Sequence, residues 1–347
     1  MTDELLHSLI SDQKNVPDIY KPGPYWKKKA LSAIKELETN RLHDFRSSNN
    51  VNTAGTSFGD NRIIDARRII EKSSLSHKIG LLILNHTQLK KLFDYQVSLT
   101  QTYFDESQDY KKNKLALTNP NRFSELVQNY KIKNSINFGC DSISKFNEKE
   151  YSTYYLNMLD FLDLVEKNFS LKKTHSILEI GPGFGANIHL IEQNYQNIRK
   201  FIVIDIVPNV WLVTEYLKSI YGNCVIDYLE TKKMKEIKFK EDMSLEIFVI
   251  PPWEIEKISV LIDCFWNSNS FVEMPPKVVV NYAEHFKRIR SKESKYVFIS
   301  YDKFDLKTTF NPDLILNFFP DVEFKKLTFP SFIENGQENY FYLGTVD

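Results

Sequence analysis

Short apolar runs alternate with stretches of helical periodicity over the second half of the chain. The runs cover 176–180, 201–206, 245–250, 260–265 and 296–301. Apolar runs of this length are typical of parallel strands buried on both faces, and the helical stretches between them supply the crossovers. Two last runs, 322–327 and 340–345, lie close together in the sequence and are expected to be antiparallel at one edge. The pattern predicts a doubly wound α/β fold with a mostly parallel sheet and an antiparallel edge strand.

The first part of the chain has a different pattern. Apolar positions recur at helical spacing over 27–43 and in several pieces over 63–128, and a loop rich in Ser, Asn and Gly at 46–61 is a candidate lid. We therefore expect an N-terminal helical region over 1–145 that contacts substrate or closes over it. The sheet domain is expected over 146–347.

The first strand of the sheet leads directly into a glycine-rich turn. Glu179 is followed by Gly181, Gly183 and Gly185, and a helical pattern begins near Asn187. Alternating glycines allow positive φ and let a ligand approach the backbone closely. The free N–H groups of the following helix attract an anionic group by about 0.3–1 kcal/mol. This strand, turn and helix predict a site for a nucleotide-like cofactor that carries a carboxylate or a phosphate.

Two cofactors fit the turn. Gly181-x-Gly183-x-x-Ala186 satisfies the relaxed dinucleotide fingerprint, and Asp205 follows at the spacing expected of a ribose-binding acid, so NAD(P) stays open. The carboxylate of Glu179 would repel a pyrophosphate beside the turn and attract a sulfonium or ammonium group. Glu179 therefore favours S-adenosylmethionine (SAM), and Asp205 is expected to accept hydrogen bonds from the ribose hydroxyls.

Composition excludes several other classes of function. The 45 basic and 45 acidic residues cancel, so neither nucleic acid nor an anionic membrane is an expected partner. Three scattered cysteines without a C-x-x-C pair indicate neither a disulfide framework nor a zinc site, and no other metal site is expected. Without a signal peptide or an apolar run of membrane-spanning length, we expect a cytoplasmic protein with no membrane span.

Further candidates stand at the ends of later strands, where ligands bind in doubly wound sheets. Trp253 follows Pro251-Pro252 and either stacks on adenine or belongs to the core. The Pro-Pro-aromatic pattern also occurs in amino-methyltransferases that act on DNA bases. That chemistry requires a side-chain acceptor before the prolines, and Ile250 has none.

The stretch 263–276 is rich in small polar residues. We expect Asn267 to bind the cofactor and Asn269 and Ser270 to bind the substrate, while Glu273 is the leading general base. Ser270-x-x-Glu273 also matches a capping box, in which Glu273 would only close a helix N-terminus, and both interpretations stay open.

Four other residues are relevant to the same site. Asp302, at the end of the fifth run, is the alternative base. His285 lies too far along its helix and is expected to be structural. Tyr25 and Trp26, near the start of a helix, form either an aromatic platform for a sugar or a packing anchor.

Four stretches together resemble the sugar O-methyltransferases: Leu178 to Gly185, Val203 to Asp205, Ile250 to Trp253, and Asn267 to Met274. The resemblance covers 176–302 and implies a Rossmann-like SAM methyltransferase that transfers a methyl group to a sugar hydroxyl in polysaccharide or glycoconjugate biosynthesis. It implies a small-molecule or glycan substrate, with Glu179, the three glycines and Asp205 around SAM. An NAD(P)-dependent sugar oxidoreductase and a non-catalytic SAM-fold scaffold of a glycan-assembly complex are the alternatives. The oligomeric state stays open, a homo-oligomer included.

Overall fold

A computed structural model describes residues 3–40, 45–47, 120–140, 143–146, 148–301, 314–330 and 338–346. The candidate lid from residue 48 onward, most of the helical pattern over 63–128 and the alternative base Asp302 lie outside the described residues. The expected division of the chain near residue 145 stays a prediction.

The described elements follow the predicted alternation from the first central strand onward. In chain order they are α1 (Glu4–Gln13), α2 (Pro24–Asn40), α3 (Pro120–Asn129), β1 (Ile143–Phe146), β2 (Lys149–Ser152), α4 (Thr153–Asn168), β3 (Ser176–Ile180), α5 (Ala186–Asn194), β4 (Lys200–Ile204), α6 (Asn209–Tyr221), β5 (Val225–Ile226), α7 (Tyr228–Thr231), β6 (Glu246–Ile250), β7 (Ile262–Ser268), α8 (Pro276–Ile289), β8 (Arg290–Tyr301), α9 (Ile315–Phe318), β9 (Val322–Pro330) and β10 (Glu338–Val346). Short 3₁₀ turns include Asp18–Tyr20, Pro252–Lys257 and Phe271–Glu273.

Eight strands form one sheet in the order β5-β6-β4-β3-β7-β8-β10-β9, and β1 and β2 form a separate antiparallel pair. The first six strands of this order, β5, β6, β4, β3, β7 and β8, are parallel to one another. Strand β10 is antiparallel to both β8 and β9, so the antiparallel strand lies one position in from the edge. The predicted α/β fold with a mostly parallel, Rossmann-like sheet is confirmed.

Helices cover both faces of this sheet, so its central strands are buried on both faces. One core joins α4, α5 and α6 to the sheet through residues such as Phe184, Trp211 and Trp266. The second core lies on the other face, where α8 packs against strand residues such as Phe265 and Tyr296. Ile177, Leu178 and Ile180 of β3 alternate between the two cores, which explains why this strand reads as continuously apolar.

The N-terminal elements pack on the sheet domain. Leu5, Leu6 and Leu9 of α1 join the first core, and Tyr20 joins the second. Gly23 lies directly against Pro275, since a Cβ built on Gly23 would stand 2.8 Å from the Pro275 ring. These contacts hold residues 17–26 over the carboxyl ends of the parallel strands. Among the helices that the structure describes, none has the length and apolar character needed to cross a membrane.

Candidate functional site

A cavity of 330 Å³ opens at the carboxyl ends of β3, β4 and β7. Its floor is formed by the glycine turn and by the residues that follow β4 and β7. Residues 19–26 line the opposite wall, and α4 and α8 contribute side chains from the two faces of the sheet. The cavity therefore lies where ligands bind in open parallel sheets.

The glycine turn has the backbone that the sequence pattern predicts. Gly181, Gly183 and Gly185 have φ values of 69°, 61° and 95°, and Gly185 is the N-cap residue of α5. A Cβ on Gly181 would stand 2.3 Å from the Ser270 hydroxyl oxygen, a separation that real Cβ atoms do not show. The turn thus requires glycine at position 181 for its conformation and also for its contact with the loop after β7.

Glu179 is buried below this turn. Its Oε1 accepts a hydrogen bond of 3.1 Å from Nδ2 of Asn187, in the first turn of α5, while Oε2 is buried without a hydrogen-bond partner among the described residues. Burial raises the pKa of Glu179 to about 8, the Asn187 bond opposes that rise, and the nearby Asp205 carboxylate adds to it. A cation in the cavity would lower this pKa by favouring the charged carboxylate.

Asp205 follows β4 and is the second buried carboxylate of the cavity. Its Oδ1 accepts a hydrogen bond of 2.7 Å from the Ile206 N–H, and no described residue donates to its buried Oδ2. Burial raises the pKa of Asp205 to about 8, although hydrogen bonds from Ile206, Asn209 and Gly183 act against the rise.

Three unsatisfied acceptors cross the floor of the cavity in strand order. Asp205 follows β4, Glu179 lies on β3, and Asn269 follows β7, where its buried Oδ1 has no partner among the described residues. Neighbouring strands are about 4.8 Å apart, so the three acceptors span roughly 10 Å. Since buried polar groups are normally paired, this row fits an elongated ligand that carries hydrogen-bond donors or positive charge along its length.

The loop after β7 is built by Asn267 and Ser270. The Asn267 amide donates 2.9 Å to the Ile180 carbonyl oxygen and accepts 3.1 Å from the Phe271 N–H. The Ser270 hydroxyl also donates 3.1 Å to the Ile180 carbonyl. Asn269 has a positive φ of 63° and its N–H donates 2.8 Å to Ile299 of β8. These bonds place Asn269 and Ser270 in the cavity wall.

Glu273 lines the cavity and bonds to the N-terminal segment. The indole Nε1 of Trp26 donates 2.9 Å to Oε2 of Glu273, although the two residues are 247 positions apart. The capping-box alternative for Ser270 and Glu273 is wrong: the Ser270 side chain caps no helix, and α8 begins at Pro276 with Pro275 as its N-cap. Glu273 thus lines the cavity without capping a helix, and its part as general base stays a prediction.

The structure does not bring every predicted residue to the cavity. Asn267 is 1% exposed, and its amide hydrogen-bonds to the backbone of Ile180. It does not line the cavity, so the prediction that Asn267 binds the cofactor is wrong. Trp253 also lies outside the lining: its Nε1 donates 3.3 Å to Tyr228, and the two rings pack edge to face. The adjacent Pro252 takes the place at the wall that we expected for Trp253.

The four remaining predicted residues have different positions relative to the cavity. Trp26 lines the cavity, and Tyr25 precedes it in the first turn of α2. His285 lies away from the cavity beside Arg288 and the hydroxyl of Tyr20, as expected of a structural residue. Asp302 is outside the described residues, so the choice of base between Asp302 and Glu273 stays a prediction.

Sequence reasoning missed the contribution of α4. Tyr154, Asn157, Met158 and Phe161 line the cavity, and Asn157 is 4% exposed. Their i, i+3, i+4, i+7 spacing is the available signal, because it marks one helix face. That signal could not distinguish a face lining a ligand cavity from a face packed in the core. Among the described residues, no group of three or more His, Cys, Asp or Glu side chains could hold a metal ion.

No known protein family matches the sequence, and no curated protein matches it either. Solved structures give distant matches. A SAM-dependent methyltransferase from Aquifex aeolicus is 16% identical, with 53% of this chain and 89% of that chain covered and a TM-score of 0.33. An O-methyltransferase from Bacillus cereus, in complex with SAH, is 11% identical, with 65% and 91% covered and a TM-score of 0.38. The SAM-bound amino pentose methyltransferase CalS10 from Micromonospora echinaspora is 9% identical, with 55% and 90% covered and a TM-score of 0.36. Resemblances this distant assign neither an activity nor a ligand to the chain.

Proposed function

We propose that this chain is a SAM-dependent O-methyltransferase that transfers a methyl group to a sugar hydroxyl in polysaccharide or glycoconjugate biosynthesis. The observation that carries the proposal is the pair of buried carboxylates, Glu179 and Asp205, on either side of the left-handed glycine turn. Each has an oxygen with no donor among the described residues. The pair calls for a ligand that brings hydroxyls and positive charge, and SAM has both.

Each part of the cofactor has a suitable partner. Asp205 is placed to accept hydrogen bonds from the ribose hydroxyls, each worth about 1.5–3 kcal/mol for a charged acceptor. Glu179 supplies negative charge for the cationic end, and the backbone of Gly181 to Gly185 allows close approach. A pyrophosphate beside α5 would meet the Glu179 carboxylate, which hydrogen-bonds to the first turn of that helix, so NAD(P) fits less well.

The cavity also has polar groups beside aromatic rings. Asn269, Ser270 and Glu273 supply hydrogen-bonding groups, and Trp26 and Tyr282 supply flat faces. Sugar rings present the same combination of hydroxyls and apolar C–H faces. This composition supports a sugar as the methyl acceptor.

When bound, SAM supplies a methyl group activated by its sulfonium for in-line displacement. The protein contributes chiefly by alignment, which can supply about 7–11 kcal/mol of the barrier. Glu273 accepts the proton of the attacking hydroxyl, and a general base typically adds about 10²–10⁴-fold. The Trp26 indole donates a hydrogen bond to Oε2 of Glu273 and so helps to orient this carboxylate in the cavity wall.

Calorimetric titration with S-adenosylhomocysteine tests the cofactor assignment. We expect micromolar binding to the wild type and at least about tenfold weaker binding to Asp205→Asn, which keeps the side-chain size and removes the charge. Trp253→Phe is the control outside the cavity and should bind as the wild type does. Heat with NADH and none with S-adenosylhomocysteine would refute the methyltransferase and favour the NAD(P)-dependent oxidoreductase. Tight S-adenosylhomocysteine binding without turnover on any glycan acceptor would favour the scaffold.

A further inference from the structure

Helix α4 presents one amide to the cavity. Tyr154, Asn157, Met158 and Phe161 line it from a single helix face, and Asn157 is the residue of this stripe that carries an amide. Met158 and Phe161 of the same stripe have no hydrogen-bond donor in their side chains, and the donor of Tyr154 is its hydroxyl group.

Asn157 is 4% exposed, and its buried Oδ1 accepts no hydrogen bond from any described residue. Two other amides of the site are paired, in contrast to Asn157: Asn267 bonds to backbone at both ends, and Asn187 donates to Glu179. Leaving a buried acceptor unpaired is unfavourable, and natural proteins rarely do so without a ligand or a water. The amide of Asn157 is therefore a candidate ligand contact.

Two ring contacts locate Asn157 relative to the sheet. At the start of α4, Tyr154 packs 5.5 Å from Phe184 of the glycine turn, and midway along the helix Phe161 packs 5.3 Å from Phe341 of β10. Asn157 lies between them in the helix, and the strands between β3 and β10 are β7 and β8, so we infer that Asn157 lies on the β7 side of β3. Asn269 follows β7, whereas Asp205 follows β4 on the other side of β3. Asn157 therefore belongs to the half of the cavity that faces away from the ribose-binding acid.

We propose that Asn157 is a specificity residue for the methyl acceptor: it accepts a hydrogen bond from a hydroxyl group of the acceptor, while Tyr154 and Phe161 cover an apolar face of the same molecule. This inference rests on the proposed function and narrows its substrate class. With Asn157 and Asn269 both unsatisfied, the acceptor must bring at least two donors to this half of the cavity. A polyhydroxylated ring meets that requirement, and a phenol with a single hydroxyl does not.

Thermal unfolding without ligand gives the first test. Asn157→Leu replaces the unpaired amide by an apolar side chain of similar size, so the midpoint should rise by about 2 °C or more. Asn267→Leu is the matched control, because the same change there removes bonds to Ile180 and Phe271 and should lower the midpoint. A clear fall for Asn157→Leu would mean that this amide is satisfied within the protein, and would overturn the proposal.

Binding and turnover give the second test. Asn157→Leu should bind S-adenosylhomocysteine as the wild type does, whereas a tenfold loss would make Asn157 a cofactor residue and overturn the assignment. Release of S-adenosylhomocysteine from SAM is then measured with neutral monosaccharides and nucleotide sugars. For an acceptor used by the wild type, the variant should raise the apparent KM about tenfold. An unchanged KM would contradict the proposal. Failure of the wild type itself to bind S-adenosylhomocysteine would instead refute the proposed function.

Discussion

Gly181 and Gly222 both have positive φ, at 69° and 55°, but their surroundings differ. A Cβ on Gly181 would overlap the Ser270 side chain at 2.3 Å, whereas a Cβ on Gly222 would meet nothing within 4 Å. Alanine at either position carries backbone strain of about 1–3 kcal/mol. A comparison of the two positions therefore distinguishes the effect of backbone strain alone from the effect of losing the close contact between Gly181 and Ser270.

We predict that Gly181→Ala abolishes S-adenosylhomocysteine binding, because Ser270 and the loop after β7 must move to admit the new methyl group. Gly222→Ala should lower the thermal midpoint and leave binding unchanged, since its site is open and distant from the cavity. Calorimetry and thermal unfolding of both variants check this. Equal binding by the two would show that the Gly181 contact is not needed to hold the loop.

Glu273→Ala should reduce turnover by about 10²–10⁴-fold, because the variant has no group to accept the hydroxyl proton. Binding of S-adenosylhomocysteine should persist, since Glu179 and Asp205 remain. The loss should be smaller than that caused by disrupting the glycine turn at Gly183, where alignment of the reactants fails. Full turnover by Glu273→Ala would remove Glu273 as the base and leave Asp302.

At the scale of elements, a side-chain hydrogen bond joins helix α2 to the loop after β7. Trp26 of α2 donates to Glu273, and the neighbouring Gly23 packs against Pro275. The N-terminal segment therefore does more than cover the cavity: it fixes the orientation of the carboxylate that we assign as base.

Trp26→Phe keeps the ring and removes the donor, so we expect kcat to fall while S-adenosylhomocysteine affinity is kept. Trp253→Phe is a matched control, because it removes a hydrogen bond to Tyr228 outside the cavity. The pair is compared by steady-state kinetics on one acceptor. If both substitutions had the same effect on kcat, the Trp26 bond would have no special part in positioning Glu273.

Strands and helices could be predicted from the sequence where their burial determines the pattern of apolar and polar residues. The central strands were predicted nearly at their observed bounds because parallel strands covered on both faces must be apolar at every position. The two-residue strand β5 and the β1–β2 pair were missed, since such short strands carry too few residues for a period. Helix α2 begins at Pro24, three residues before the predicted start, because proline is well accepted in the first turn of a helix.

Site residues were predictable where topology alone places them and less so where side chains compete for partners. Glu179 and Asp205 line the cavity because they close adjacent parallel strands. The sequence cannot show that Asn267 satisfies the backbone of its own loop or that Trp253 turns toward Tyr228. Nor could it assign Asn157, whose amide is distinguished by the lack of a partner rather than by its spacing.

At the scale of the whole molecule, the two buried carboxylates couple stability to pH. Their folded pKa values of about 8 exceed the ordinary values of 4.5 for Glu179 and 3.8 for Asp205. Between the ordinary and the raised values, the folded protein holds protons that the unfolded chain has lost. Their contribution to stability is therefore fully present at low pH and is lost as pH rises through about 8.

The free energy of unfolding of the ligand-free protein should thus fall between about pH 6.5 and pH 8, by up to about 1.4 kcal/mol per pH unit for each carboxyl. At the lower end of this range the fall is opposed by His189, whose pKa burial lowers from 6.5 to about 4, and by His285, whose pKa burial also lowers. Their opposing effect fades toward pH 8, because the unfolded chain then loses the same protons. Denaturant titrations at several pH values measure the slope. Glu179→Gln and Asp205→Asn should each reduce it, because a neutral amide has no proton to lose.

A bound cation should remove this coupling. SAM favours the charged form of the carboxylates, so they lose protons on binding, and affinity should increase from about pH 6.5 to pH 8. The same ligand should flatten the pH dependence of stability, since its complex with the folded protein already holds the carboxylates charged. Calorimetry in buffers of different ionisation enthalpy measures the protons released. An apparent affinity independent of pH, together with a ligand-free stability that rises over this range, would mean that Glu179 and Asp205 are already charged in the empty cavity.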